Sequence, residues 1–134
     1  AIELRDGAIV TGKNSPLMHA ASSLVLNTIK TLAEVPDKIH LLSPSITASI
    51  GKLKRDILGR KGESLSLDEC LVALSISSTT NPVAEAAMEK LKDLSGCEMH
   101  MTHIPTPGDE AGLKRLGVNL TSDPDFPTKS LFVS

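Results

Sequence analysis

Four times in this chain a small polar residue is followed directly by proline: Ser15-Pro16, Ser43-Pro44, Asn81-Pro82 and Thr106-Pro107. A side-chain oxygen at the first position accepts a bond from a free N–H of a first helical turn. Proline suits the next position, where a missing N–H costs nothing and its φ is already helical. The pattern predicts four helix starts. A fifth comes from Ser66-Leu67-Asp68-Glu69, which has the Ser-to-Glu spacing of a capping box. Between these starts lie β-prone runs. Residues 1–4 and 8–11 flank Arg5-Asp6-Gly7, and Asp-Gly between such runs signals a hairpin. Residues 39–42, 97–103 and 118–121 are further short extended runs, the second with alternating character. Strands that alternate with helices predict a layered α/β sandwich.

The helix expected after Ser15 reaches about residue 33. Its apolar residues, among them Leu17, Met18, Leu24, Val25, Leu26 and Ile29, cover most of the circumference, and its first charge is Lys30. Such a helix is expected to be largely buried, since a surface helix keeps a polar face. The second helix runs from Pro44 to a stop at Gly59, and the basic residues at 52–61 read as its solvated end. A short third helix passes through Leu71, Val72 and Leu74, a fourth through Val83, Ala87, Met88 and Leu91, and a fifth ends near Gly117.

A chain of 134 residues suits a single α/β domain, with a core over 1–121 and an irregular tail over 122–134. A hydrophobic fraction of 40% supports a packed core. No apolar run approaches the roughly 20 residues needed to cross a bilayer, and no signal pattern opens the chain, so a cytoplasmic protein is expected. A net charge of −2 supplies no field to attract nucleic acid. The only aromatic residues are Phe126 and Phe132, which leaves no base-stacking platform. Cys70 and Cys97 are too few for a disulfide scaffold and are expected to be buried thiols. The start at Ala1 is read as a piece of a longer protein.

Gly7-x4-Gly12-Lys13 imitates a Walker A loop, but Asn14 replaces the magnesium-binding hydroxyl and the residues between the glycines are β-forming. What survives is an anion site at Lys13 and Ser15, beside a helix N-terminus. Ser77-Ser78-Thr79-Thr80-Asn81-Pro82 carries more hydroxyls than one cap requires. Ser78, Thr79, Thr80 and Asn81 are therefore candidates to cradle an anion, against a turn and cap that satisfy their own backbone. His103, Thr106, Asp109 and Glu110 gather at a strand-to-helix turn, where open α/β sheets bind ligands. His103, Asp109 and Glu110 are the catalytic candidates, with His103 as an acid or base near neutral pH. Along residues 97–103, His100 and His103 point to opposite faces of a strand, so no metal site is expected and no cofactor is implied. His19 and His40 have no partner nearby in sequence and read as structural.

Three of these segments together resemble a known family. They are Thr-Gly-Lys-Asn-Ser-Pro-Leu at 11–17, Ser-Ser-Thr-Thr-Asn-Pro at 77–82, and Cys-Glu-Met-His-Met-Thr-His-Ile-Pro-Thr-Pro-Gly-Asp-Glu at 97–110. In order and spacing, over essentially the whole chain, they resemble the C-terminal part of the uncharacterised bacterial domain-of-unknown-function 1846 family. The resemblance implies full-length members several times longer, with a glycine-rich, P-loop-like segment in their N-terminal portion. It implies a three-layer αβα sandwich with topology similar to cytidine deaminase-like folds. It implies no reaction. The His-x-Glu and Pro-Cys-x-x-Cys pattern by which deaminases hold zinc is absent, so deaminase chemistry is not expected.

The function expected is therefore a ligand-binding subdomain for a nucleotide, phosphate or other anionic metabolite, within a larger cytosolic protein. Its binding elements would be the helix starts near Ser15, Thr80-Asn81 and Thr106, meeting in one cleft. The alternative is a docking module, in which the apolar first helix and the Phe-bearing tail meet the N-terminal portion of the full-length chain or a second copy. A metal-dependent hydrolase is a third reading, resting on residues 97–103 alone.

Overall fold

The computed structural model describes residues 1–15, 18–59 and 64–124. Phe126, Phe132 and nearly all of the expected tail lie outside the described residues, as do Pro16 and Leu17.

The expected hairpin forms from β1 (Ile2–Glu3) and β2 (Ile9–Val10). Gly7 takes φ +89° in its turn, and the Asp6 carboxylate accepts from the Ala8 N–H at 2.9 Å. Only glycine enters that region without a steric cost, which is why Asp-Gly marked the turn. β3 (Glu98–Met101) and β4 (Asn119–Ser122) complete a four-stranded sheet in the order β2-β1-β3-β4. β1 is antiparallel to both neighbours, whereas β3 and β4 are parallel. Parallel neighbours need a crossover, and α5 (Pro107–Arg115) provides it.

Four more helices pack with the sheet: α1 (Ala20–Leu32), α2 (Pro44–Lys52), α3 (Leu67–Ser78) and α4 (Pro82–Glu89). The chain is thus mixed α/β. Register aligns Val10, Ile2, Met99 and Leu120 across one face of the sheet. Ile2 and Met99 are fully buried there against the helical core. Glu3, Ile9, Glu98, His100, Asn119 and Thr121 are exposed on the other face. Among the described residues helices cover one face only. These residues form a sheet layer and a helical layer of the layered α/β arrangement expected.

Local signals placed most helix ends. Ser66 and Glu69 form the reciprocal capping box, and the Asn81 side chain accepts from the N–H groups of Val83 and Ala84. Three expectations need correction. α1 starts at Ala20, not after Ser15, because the preceding backbone is extended: Met18 bridges Leu65, and the His19 N–H donates to the Leu65 carbonyl. Residues 39–42 form no strand, although Leu41 and Leu42 are buried. The end of α2 is not wholly solvated. It continues as a wider π-helical turn, Leu53–Ile57, in which Lys54 is buried. The Lys54 ammonium donates to the Ser64 carbonyl at 2.6 Å and to the Glu69 carboxylate at 2.9 Å.

α1 is the central helix. Ala21, Val25 and Ile29 are fully buried, and the helix packs on α3, α4, α5 and β2. That burial confirms the reading of an almost wholly apolar helix, but it removes α1 as a docking surface, since its apolar face is spent on the domain's own core. Among the described residues no helix is long and apolar enough to cross a membrane.

Candidate functional site

Two constellations stand out, one on either side of the Met18–Leu65 bridge. The first is built on Asp109, in the first turn of α5 and almost wholly buried. Its Oδ2 lies 2.7 Å from His19 Nδ1, and its Oδ1 accepts from the Leu67 N–H, the first of α3, at 2.9 Å. Its own N–H donates to the Thr106 hydroxyl, which caps α5. One carboxylate thus joins the N-terminal ends of α1, α3 and α5. Burial pushes its pKa up, but the bonds from His19 and Leu67 and the charge of His19 outweigh that and hold it below the usual carboxylate range. Cys70, one turn into α3, feels the same surroundings in reverse. Burial and then the Asp109 charge push its thiol up to about 12. It is an inert core thiol, since only the thiolate is a nucleophile.

The second constellation is a pocket of about 800 Å³ between α1 and α2. Ser23, Asn27 and Lys30 line it from α1 at helical spacing, so three polar side chains on one stripe face it. Facing them on α2 are Pro44, Thr47, Ala48 and Gly51, also at helical spacing. Small residues on one helix and a polar stripe on the other leave the space open. Met18, Leu26, Leu41, Leu42 and Leu65 supply apolar lining. The polar stripe also fastens the rims. Asn27 donates to the Thr11 carbonyl at 2.9 Å, and Lys30 donates to the Asp37 carbonyl at 2.8 Å. Thr11, Gly12, Lys13 and Ser15 form one rim, with His40 on the other.

Charge is one-sided here. Lys13, Lys30 and His40 line the pocket, and no Asp or Glu is among its described lining residues. Lys30 gives one of its three N–H donors to Asp37, and two remain. In a molecule of net charge −2, this is a local basic concavity.

The expected site residues separate. Lys13 and Ser15 line the pocket, and Ser15 also accepts from the Met18 N–H. Thr106 and Asp109 belong to the buried node. Glu110 pairs instead with Lys114 one turn along α5, at 3.0 Å. His103 is half-buried in the bend after β3. Ser78, Thr79, Thr80 and Asn81 lie at the opposite end of α3 from Asp109, about 18 Å along the helix. Ser78 and Thr79 donate to carbonyls of their own last turn, and Asn81 caps α4. The three helix starts do not meet in one cleft. Among the described residues no group of three or more His, Cys, Asp or Glu is arranged to hold a metal ion.

Sequence reasoning missed His19, Lys30, His40, Ser23, Asn27 and Thr47. The signal for three of them was present: Ser23, Asn27 and Lys30 recur at i, i+4 and i+7. No local signal joins His19 to Asp109, since they are 90 residues apart.

Residues 1–132 match the family described as "Domain of unknown function DUF1846, C-terminal". This chain belongs to that family. Its relatives carry the name UPF0371 protein. One from Clostridium tetani (strain Massachusetts / E88) is 45% identical, covering 98% of this chain and 26% of the relative. One from Clostridium botulinum (strain Alaska E43 / Type E3) is 48% identical with the same coverage. One from Clostridioides difficile (strain 630) is 47% identical over 100% of this chain and 27% of the relative. The chain therefore spans about a quarter of the length of the curated relatives it matches. It is a C-terminal domain of a longer type of protein.

Proposed function

We propose that this domain holds a small anionic ligand, a phosphate-bearing metabolite up to nucleotide size, in the pocket between α1 and α2. The observation that carries the reading is the lining: Lys13, Lys30 and His40, with no carboxylate among the described lining residues. The two ammonium groups facing one space repel a cation and suit an anion, and the His40 ring adds a nitrogen beside them. Ser23, Asn27 and Thr47 add neutral donors for phosphoryl or hydroxyl oxygens. The apolar lining suits a base or another non-polar portion of the ligand. At about 800 Å³ the pocket falls in the ordinary range of ligand sites. The proposal keeps Lys13 and Ser15 from the residues expected and replaces the others with Lys30, His40 and their neighbours. A likeness to cytidine deaminase-like topology belongs to this proposal as well. The parallel β3–α5–β4 unit supports it, and it brings no deaminase chemistry.

Titration calorimetry with inorganic phosphate, pyrophosphate and ATP tests the reading. Saturable binding of at least one is expected, weakened by rising salt. Lys13→Ala and Lys30→Ala are each expected to weaken it about tenfold or more, about 1.4 kcal/mol. Lys92→Ala, in the 3-10 turn after α4 and not among this lining, should leave it unchanged. If none of the three anions binds below about 1 mM, the pocket is not an anion site.

A further inference from the structure

Six large hydrophobic side chains are exposed among the described residues, and five of them sit on α3 and on the continuation of α2, the helix that packs on α3. Leu53 and Ile57 lie on the extension of α2 and Leu58 just after it, at 45%, 75% and 56% exposure, and Val72 and Ile76 on α3, at 56% and 48%. Val72 and Ile76 are one turn apart and share a stripe with Glu69. Lys54, which reaches Glu69, adjoins Leu53 in sequence. The Lys54–Glu69 bond thus places the two sets on adjoining elements of the same side of the helical layer. Isolated exposed leucines are ordinary, but a cluster rimmed by charge marks an interaction surface. The open face of the sheet is no rival, because Ile9 stands there among Glu3, Glu98, His100, Asn119 and Thr121.

We infer that this apolar seam is the docking surface for the portion of the full-length polypeptide that precedes the family's C-terminal domain. Two observations select that occupant. The relatives are about four times as long as this chain, so most of such a protein lies outside the fold described. Five side chains also form a small patch beside the roughly 20–30 residues a side of a stable bimolecular interface. A small patch holds a tethered partner, because covalent linkage supplies an effective concentration in the millimolar range. A second copy of the chain has no such advantage.

The test uses the full-length protein carrying Val72→Cys, with labelling of that thiol followed peptide by peptide. Val72 is more than half exposed in this domain, so the substitution leaves the core untouched. In monomeric full-length protein the labelling is expected to be at least about tenfold slower than in the urea-unfolded protein, equal to about 1.4 kcal/mol of closure. Adding Ile57→Glu, at the most exposed of the five positions, is expected to restore fast labelling. Slowing below tenfold overturns the inference, as does protection that persists with Ile57→Glu. Protection that appears only as the protein dimerises assigns the seam to a second copy and overturns it equally.

Discussion

A carboxylate with its oxygens out of water must find donors for both of them or take up a proton. Asp109 finds them in the Leu67 N–H and the His19 ring. Asp109→Ala leaves both donors without their acceptor. Hydrogen bonds to a charged group are worth about 1.5–3 kcal/mol each. The expected result is a loss of about that size in urea unfolding, whereas Glu110→Ala, on the exposed side of α5, should cost less than about 1 kcal/mol. In sequence, Asp109 and Glu110 look alike: two acids in a first helical turn next to a Thr-Pro start. Which of them turns inward is decided by α3 and His19, and neither is local to it. The same holds for His19, read as structural without a partner, whose partner is the very aspartate singled out for another reason.

Elements were legible where their ends are chemically marked. The Ser66 capping box, the Asn81 and Thr106 caps, the Asp6-Gly7 turn and the alternation of Cys97, Met99 and Met101 each recorded a local requirement that the fold did not override. The α1 start was misread because Ser15-Pro16 has the same chemistry as a cap. Only the bridge to the distant Leu65 holds Met18 and His19 extended. Gly12 is a related case. It looked like part of a failed phosphate loop, yet its role is close packing: a Cβ there would overlap the backbone N and Cα of Leu24. Backbone cannot yield as a side-chain tip can. Gly12→Ala is therefore expected to push the 11–15 segment off α1, costing about 1–3 kcal/mol as overpacking does. The Asn27–Thr11 bond spans the same contact, so the variant should also lose anion binding at the pocket. A thermal melt alongside calorimetry checks both, and unchanged stability would show that the segment is not seated against α1.

At the scale of the molecule, the N-terminal end of α3 is the junction. Asp109 ties it to α1 and α5, while Glu69 ties it to the extension of α2 through Lys54. Burial raises the Glu69 carboxyl, but the bonds from the Ser66 N–H and Lys54 outweigh it, so its pKa, like that of Asp109, is held below the usual value. A carboxyl depressed by folding binds its proton more weakly in the native state than in the unfolded one. Its contribution to stability is complete above the unfolded value, near pH 4, and is lost as pH falls through the depressed one. The urea midpoint is thus expected to stay level between about pH 7 and pH 5 as far as these two groups are concerned, and to fall steeply below about pH 4. Asp109→Asn keeps the shape and removes one of the two titrations, so it should lower the plateau and flatten the acid limb. Leu65, two residues before α3, lines the pocket, and so does Gly51 at the end of α2. Acid should therefore loosen the pocket wall before it melts the sheet. Amide exchange measured near pH 4 would show protection falling first at 65–70 and last in β3, and equal protection at both would show that the junction and the sheet open as one unit.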